Sequence, residues 1–264
     1  MIEIQGLHVT FGAGTVLETK ALRGIDLRLP EGQFLTVIGS NGAGKSTLLN
    51  ALAGTITATQ GKIAIDGRDV TGWNASRRAG LVARVFQDPL GGSCASLTIE
   101  ENLALATARG SSRGFGVAVR PSDRARWRER LSLLGLGLEN RLGDSMGLLS
   151  GGQRQAVSLL MATLAPLKIL LLDEHTAALD PRTAELLVTL TQRLVGESRL
   201  TTLMVTHSMH QAVECGDRLV MLHEGKIVLD VSGAQKKALT VDGLIAEFKK
   251  TRGAELDDDA LLLG

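Results

Sequence analysis

The sequence predicts an α/β fold built around a largely parallel sheet, and three observations support this. From residue 168 onward, short apolar runs alternate with helical patterns, which is typical of a parallel sheet covered by helices on both faces. The apolar run at 34–38 is followed by a glycine-rich turn and by a helical pattern that ends near Gly54. Residues 2–11 and 27–29 instead alternate between apolar and polar, which predicts antiparallel strands near the amino terminus.

A mainly helical insert is predicted between about residues 96 and 154, and Thr98 with Glu101 has the spacing of a capping box that begins its first helix. The insert contains a Gly- and Ser-bearing segment and then an arginine-rich stretch at 120–130. Those arginines fit either a solvated helix face or a docking surface for an acidic partner or lipid headgroups. We predict one domain with these parts: a core with an antiparallel β subdomain at about 1–95 and 155–240, a helical subdomain at 96–154, and a C-terminal helix and tail at 241–264.

Composition excludes several classes of protein. Over 264 residues the net charge is +1, with 44% hydrophobic and 22% charged residues, as in ordinary soluble proteins, so no basic field for nucleic acid is present. Aromatic residues make up 3% and tyrosine is absent, which argues against a base-stacking surface. The most apolar stretch, 156–172, is too short and too interrupted to cross a bilayer, and the amino terminus lacks a secretory signal. Cys94 and Cys215 are far apart in the sequence and indicate a reduced, cytosolic chain.

A phosphate-binding loop is the strongest motif in the chain. Between the strand at 34–38 and the next helix, every fixed position of the pattern is present. The alternative dinucleotide fingerprint fails because Thr47 stands where its third glycine would be. The loop's N–H groups and the helix start would bind a nucleotide's phosphates, with the lysine on the β and γ phosphates and the serine on Mg²⁺. The predicted loop residues are Gly39, Ser40, Asn41, Gly42, Ala43, Gly44, Lys45, Ser46 and Thr47.

Two carboxylates follow an apolar strand at 169–172. Ligands of parallel sheets bind at the carboxyl ends of the strands, which is where Asp173 and Glu174 fall. Together with the phosphate-binding loop, this arrangement predicts that Asp173 holds Mg²⁺ and that Glu174 polarises the attacking water.

A third motif, Leu-Ser-Gly-Gly-Gln at 149–153, has no role in a protein that binds its nucleotide through a phosphate loop alone. With it, the chain resembles the ATP-binding subunits of ABC transporters over nearly its whole length. Ser150 and the N–H groups of Gly151 and Gly152, followed by Gln153, would begin a helix and form a second anion site. The resemblance implies that this site contacts ATP bound to another copy of the chain, so that two copies enclose two nucleotides.

The resemblance extends to the remaining motifs. It implies that Gln87, in Val-Phe-Gln-Asp-Pro, contacts Mg²⁺ and water and communicates with the membrane partner, and that Asp180 lies in the loop that crosses the dimer interface. It further implies that His207 contacts the γ-phosphate and orients Glu174. Phe11 occupies the position of the aromatic residue that stacks on adenine, with packing in the core as the alternative.

The sequence departs from the usual family pattern at two places, and these departures restrict the resemblance to a smaller group within the family. His175 stands where most of the family has proline, and the segment 157–162 lacks the arginine common after the signature. The sequence 173–181, DEHTAALDP, is similar to a bacterial importer subgroup for small organic solutes such as amino acids. The implied partners are transmembrane permease subunits, a second copy of the chain and, indirectly, an extracytoplasmic solute-binding protein, with the chain at the cytoplasmic face of the inner membrane.

Two other functional classes remain open at this point. The first is a soluble ABC-type ATPase in cluster assembly, DNA repair or translation. Repair relatives place long heptad coils between the phosphate loop and the signature, whereas here Ser150 follows Lys45 by only 105 positions without heptads. The second is a nucleotide-binding regulator without turnover, which the presence of Glu174 and His207 disfavours.

Overall fold

The computed structural model describes residues 1–111 and 117–252. The strands are β1 (Ile2–Phe11), β2 (Thr19–Leu29), β3 (Phe34–Gly39), β4 (Gln60–Ile65), β5 (Arg68–Asp69), β6 (Val82–Val85), β7 (Ile169–Asp173), β8 (Thr202–Val205), β9 (Arg218–His223) and β10 (Lys226–Ser232). The helices are α1 (Lys45–Ala53), α2 (Ala75–Arg78), α3 (Ile99–Thr107), α4 (Pro121–Ser132), α5 (Gly151–Thr163), α6 (Pro181–Ser198), α7 (Met209–Glu214), α8 (Gly233–Lys237) and α9 (Val241–Arg252).

The described residues form two compact units, one of residues 1–78 with 199–252 and one of residues 79–111 with 117–198. The divisions between these units, at 78/79 and 198/199, do not coincide with the predicted subdomain boundaries near 95, 154 and 240. Those boundaries stay a prediction. The predicted acidic tail at 257–259 and positions 112–116 of the Gly- and Ser-bearing segment lie outside the described residues. Among the helices that are described, none is both long enough and apolar enough to span a bilayer.

The first unit begins with the predicted antiparallel sheet, in the strand order β2-β1-β4-β5. Ile2 pairs with Leu29 and Ile4 with Leu27, and all four side chains are buried. The alternation of apolar and polar residues places one face of these strands in the core and the other toward solvent. The prediction of an antiparallel amino-terminal sheet is confirmed.

The first unit also contains strands in the order β10-β9-β3-β8. β3 is buried along its whole length and runs parallel to β8 and to β9, while β10 is antiparallel to β9. Ile38 of β3 belongs to one buried apolar cluster with Met209 of α7 and with Leu244 and Phe248 of α9. Because both neighbours of β3 are parallel to it, the carboxyl end of β3 lies beside the carboxyl end of β8.

The second unit pairs β6 with β7 in parallel and packs α5 against β6, α3, α4 and α6. Thr98 and Glu101 form the predicted capping box at the start of α3. In the arginine-rich helix α4, Trp127 is buried, and the Arg124 guanidinium donates to both carboxylate oxygens of Glu100 at 2.6 and 2.8 Å. This pair fixes one arginine to a neighbouring helix, whereas Arg128 is exposed.

A buried arginine clamps the carboxyl end of α1. The Arg78 guanidinium donates to the carbonyls of Ala51 and Leu52 at 2.6 and 2.8 Å, and to those of Val70 and Thr71 at 2.6 and 3.2 Å. The last carbonyls of a helix have no partner within the helix and carry partial negative charge. Arg78 therefore satisfies orphan acceptors at the end of the helix that follows the phosphate loop.

Replacement of Arg78 with methionine is expected to lower the free energy of unfolding by about 3 kcal/mol, because it leaves buried carbonyls without a donor. Arg77→Met is the matched control, since the neighbouring Arg77 is exposed and stacks over Trp73 at 4.2 Å. It should cost no more than about 1 kcal/mol. Urea unfolding measures both, and equal midpoints for the two variants would contradict the clamp.

Candidate functional site: a phosphate loop, paired carboxylates and a glycine-led helix

The phosphate loop has the predicted order of strand, loop and helix. β3 ends at Gly39, residues 40–44 turn, and α1 begins at Lys45 with Gly44 as its N-cap in the left-handed region. A side chain at Gly39 is excluded, because a Cβ there would lie 2.3 Å from the carbonyl oxygen of Leu222. The start of α1 thus presents its N–H groups from a loop whose backbone is packed closely against β9.

The side chain of Lys45 lies within this loop. It is buried, and its Nζ donates to the carbonyl oxygens of Gly39 and Ser40 at 2.7 and 3.0 Å. The ammonium therefore holds the loop's curvature and places a positive charge at the start of α1. Around it, the loop exposes Asn41, Gly42 and Ser46, half-buries Thr47, and buries Ser40, Ala43 and Gly44.

Two further predicted residues belong to the same unit as the phosphate loop. His207 follows β8, and Thr206 donates its backbone N–H to the carbonyl of Val37 in β3 at 3.2 Å. His207 and Gly39 therefore leave neighbouring parallel strands at the same edge. Phe11, at the end of β1, is 45% exposed. The alternative interpretation, that this ring packs in the core, is therefore wrong.

The hairpin of β9 and β10 supports the phosphate loop through a contact that sequence reasoning missed. Glu224 and Gly225 form the turn between β9 and β10, both with positive φ. Gly225 donates its N–H to the carbonyl of Ala43 at 3.0 Å and accepts from the N–H of Arg23 at 2.8 Å. A turn signal of this kind between two strands was readable, but its contact with a loop some 180 positions earlier was not.

In the second unit, the two predicted carboxylates and the glutamine come together at one edge. Asp173 ends β7, Glu174 follows it, and Gln87 lies two residues after β6 ends. Val85 pairs with Leu172 in parallel register, so the two strands end at the same level. Glu174 has φ of 46°, a conformation uncommon outside glycine and frequent at functional sites.

An arginine absent from the sequence prediction contacts this edge. Arg84 of β6 forms an ion pair with Asp173, with Nη2 at 2.5 Å from Oδ2, and its guanidinium lies 4.7 Å from the centre of the Phe86 ring. The carbonyl of Phe86 accepts from the Gln155 side chain at 2.7 Å. The one feature of the sequence that could have indicated this ion pair was the position of a charged residue, Arg84, inside an otherwise apolar strand.

The signature residues begin α5 as predicted. Ser150 is the N-cap: its hydroxyl accepts from the N–H of Gln153 at 3.2 Å, and Gln153 Oε1 accepts from the N–H of Ser150 at 3.1 Å. Gly151 is exposed. A Cβ at Gly152 would lie 2.1 Å from the Cγ2 of Thr183, so this glycine also lets α6 approach α5. The helix start presents N–H groups beside an exposed serine, a geometry suited to an anion.

Asp180 has a structural contact of its own. Its Oδ1 accepts from the N–H of Thr183 at 3.1 Å, next to Pro181 at the first position of α6. Hydrogen bonds from the side chain and backbone of Thr183 lower the pKa of the Asp180 carboxyl. The aspartate therefore fixes the start of α6, whose Thr183 packs against Gly152 of the signature.

His175, the residue that departs from the family pattern, is buried. Its Nε2 lies 2.9 Å from the hydroxyl oxygen of Thr191 on α6, and Thr191 in turn donates to the carbonyl of Leu187 at 2.8 Å. Burial lowers the pKa of His175 to about 4. The neutral imidazole thus joins the segment after Glu174 to α6.

This burial predicts a pH dependence of stability. The pKa of His175 is about 4 in the folded chain and 6.5 when exposed, so the unfolded chain takes up a proton first as the pH falls. The stabilisation is complete above pH 6.5 and is lost as the pH falls toward 4, by about 3 kcal/mol.

Urea unfolding at pH 7 and pH 4.5 tests this dependence. His175→Asn keeps a polar group for Thr191 and should remove the corresponding part of the pH dependence. His210→Asn, at an exposed position, should show the same loss of unfolding free energy between pH 7 and pH 4.5 as the native chain. An equal loss in all three proteins would show that His175 does not contribute.

Comparisons with known proteins identify the family. The family model for ABC transporters matches residues 22–177. The chain is 41% identical to a tyrosine transport ATP-binding protein of Clostridioides difficile, over 94% of this chain and 99% of that protein. It is 34% identical to the aliphatic sulfonates import ATP-binding protein SsuB of Rhodopseudomonas palustris, over 87% of this chain and 73% of that protein.

A solved structure agrees with these relatives. The dimeric structure of MJ0796, a bacterial ABC transporter cassette, has a TM-score of 0.74 and 28% identity, and the match covers 88% of this chain and 98% of that one. The same cassette is known as a dimer bound to ADP and phosphate after hydrolysis, with a TM-score of 0.73.

The chain belongs to the ABC transporter family, and it is an ATP-binding subunit whose ATPase activity powers transport. The predicted ABC-type α/β fold is confirmed. The relatives are transport proteins, which favours the transporter over the soluble ATPase that the sequence left open.

Proposed function

We propose that this chain binds ATP with Mg²⁺, forms a dimer of two copies around two nucleotides, and powers import of a small organic solute through separate transmembrane permease subunits. The observation that carries the choice of solute is the 41% identity to a tyrosine transport ATP-binding protein over nearly the whole of both chains. The DEHTAALDP sequence at 173–181 supports the same importer subgroup. An amino acid with an aromatic side chain is the proposed solute.

The donor chemistry fits Mg²⁺. Ser46, Gln87 and Asp173 offer hydroxyl, amide and carboxylate oxygens, the hard ligands that this ion prefers together with nucleotide phosphates. When bound, Mg²⁺ would neutralise charge on the β and γ phosphates. The loop residues 39–47 hold the triphosphate, and Phe11 offers an exposed ring to the adenine.

Hydrolysis is assigned to Glu174 and His207. The Glu174 carboxylate accepts a proton from the water whose oxygen attacks the γ-phosphorus, and the bond between that phosphorus and the bridging oxygen of ADP breaks. His207 contacts the γ-phosphate and orients the glutamate. The products are ADP and inorganic phosphate. Because the γ-phosphate is no longer joined to the nucleotide, the two copies lose the shared ligand that holds them together.

The signature of one copy is proposed to bind the γ-phosphate held by the other copy. Ser150, Gly151, Gly152 and Gln153 supply N–H groups and a hydroxyl at the start of α5, and Asp180 lies in the loop at the same interface. Solved dimers of a related cassette support this pairing. The permease binds the chain at the cytoplasmic face of the inner membrane, and an extracytoplasmic solute-binding protein delivers the solute.

Ser150→Arg tests the shared site. The added side chain should block the approach of a second copy's nucleotide, so the purified variant should bind ATP with unchanged affinity but lose hydrolysis. Ser198→Arg is the matched control: it adds the same charge at the exposed end of α6, about 22 Å along the helix axis from Thr183. Normal hydrolysis by Ser150→Arg would contradict the shared site.

The solute is tested by transport. The tagged chain should co-purify from native membranes with a polytopic membrane protein, and vesicles reconstituted with that complex and the solute-binding protein should take up labelled tyrosine only with ATP. Competition by unlabelled phenylalanine, but not by an aliphatic sulfonate, is the expected result. Co-purification with ribosomes or a cluster scaffold would support the soluble alternative instead.

A further inference from the structure

Arg84 and Asp173 form a largely buried ion pair within the second unit. Their side chains are 13% and 14% exposed, and Nη2 of the arginine lies 2.5 Å from Oδ2 of the aspartate. A short contact between a guanidinium and a carboxylate in a desolvated place fixes the orientation of both groups. The pair joins two strands whose register is parallel, so it lies at the edge where Glu174 and Gln87 also emerge.

The arginine contacts a second element at the same edge. Its guanidinium stacks on the Phe86 ring at 4.7 Å, and the Phe86 carbonyl is held by Gln155 of the signature helix α5. Phe86 immediately precedes Gln87. One planar cation therefore contacts the metal-ligating aspartate of the proposed function and the residue before the glutamine.

We propose that Arg84 is a positioning residue for Asp173: its contact with Oδ2 fixes the carboxylate that would hold Mg²⁺ when ATP binds, and its charge keeps free Mg²⁺ off that carboxylate. This inference rests on the proposed role of Asp173 as a Mg²⁺ ligand. The physical basis is electrostatic. A guanidinium in contact with a carboxylate lowers the attraction that the carboxylate exerts on a divalent cation, and it does so more strongly where water is excluded.

The consequence is a dependence of Mg²⁺ binding on nucleotide. Phosphate oxygens add negative charge and further ligands, so Mg²⁺·ATP overcomes the repulsion from Arg84, whereas Mg²⁺ alone does not. Without the arginine, Asp173 would be a partly buried carboxylate lacking its counter-charge, and free Mg²⁺ would bind it.

Arg84→Met tests this by thermal unfolding without nucleotide. Raising Mg²⁺ from 0.1 to 10 mM should leave the Tm of the native chain unchanged and raise that of Arg84→Met by about 2–5 °C. Arg193→Met is the matched control, because Arg193 forms an exposed ion pair with Glu197 at 2.8 Å in the same unit. It should respond as the native chain does. Equal responses of Arg84→Met and Arg193→Met would overturn the inference.

Arg84→Lys provides a second test that retains the charge and is expected to fold. Its Tm should be insensitive to free Mg²⁺, but kcat should fall about tenfold, because an ammonium lacks the planar fork that fixes a carboxylate and stacks on a ring. A kcat and a Mg²⁺ half-saturation equal to those of the native chain would overturn the positioning role.

Asp173→Asn separates the failure of this inference from the failure of the proposed function. Normal hydrolysis by Asp173→Asn would remove Asp173 from the proposed metal site and with it the basis for Arg84. Loss of hydrolysis in Asp173→Asn, together with native behaviour of both Arg84 variants, would overturn the inference alone.

Discussion

Replacement of Glu174 with glutamine is expected to lower the ATP hydrolysis rate by about 10²- to 10⁴-fold, the range in which a positioned general base contributes. The side chain follows Asp173 at the end of β7, and its backbone has a φ of 46°, held by a turn in which Ala177 donates to the Glu174 carbonyl at 3.0 Å. Glutamine has the same shape but does not accept a proton at neutral pH. ATP affinity should therefore be unchanged while turnover is lost.

Glu185→Gln is the control for this prediction, since Glu185 is exposed on α6 of the same unit. It should hydrolyse ATP at the native rate in a phosphate-release assay. Hydrolysis by Glu174→Gln within twofold of the native rate would remove this residue from its assigned role as general base.

Replacement of Lys45 with alanine is expected to weaken ATP binding by about 10- to 100-fold, which corresponds to the loss of a charge-assisted interaction with phosphate. The structure adds a second reason for a large effect. Nζ donates to the carbonyls of Gly39 and Ser40, so the substitution also removes two bonds that shape the loop. Isothermal titration with ATP and Mg²⁺ measures the affinity.

Lys62→Ala removes the same charge from an exposed position on β4 of the same unit and should leave ATP affinity unchanged. An affinity of Lys45→Ala equal to that of Lys62→Ala would show that the loop binds phosphate without its lysine.

The elements predicted correctly are those that short-range signals specify. Thr98 with Glu101 indicated the start of α3, Ser150 before two glycines indicated the start of α5, and Gly54 indicated the end of α1. In each case the side chain or turn that stabilises the helix end lies within three or four residues of it. The phosphate loop was predictable for the same reason, because its glycines and lysine act within one turn of backbone.

The largest side-chain contacts that the sequence did not reveal join distant positions. Arg84 and Asp173 are 89 positions apart, and the Arg78 clamp joins the end of α1 to a segment after β5. A charged residue such as arginine in a strand or short helix indicates that a hydrogen-bond or ion-pair partner exists. The sequence does not identify that partner, because the tertiary fold determines which groups come together. The fixed motifs were therefore readable from the sequence, whereas the residues that support them required the structure.

Sedimentation velocity of Glu174→Gln with ATP and Mg²⁺ tests the central claim, that two copies of this chain hold the nucleotide between them. Because the stalled variant binds ATP without splitting it, we expect a monomer without nucleotide and a dimer with it, reversed when Ser150→Arg is added to the same chain. A stalled, ATP-loaded chain that stays monomeric at high concentration, even with its membrane partner, would contradict the account.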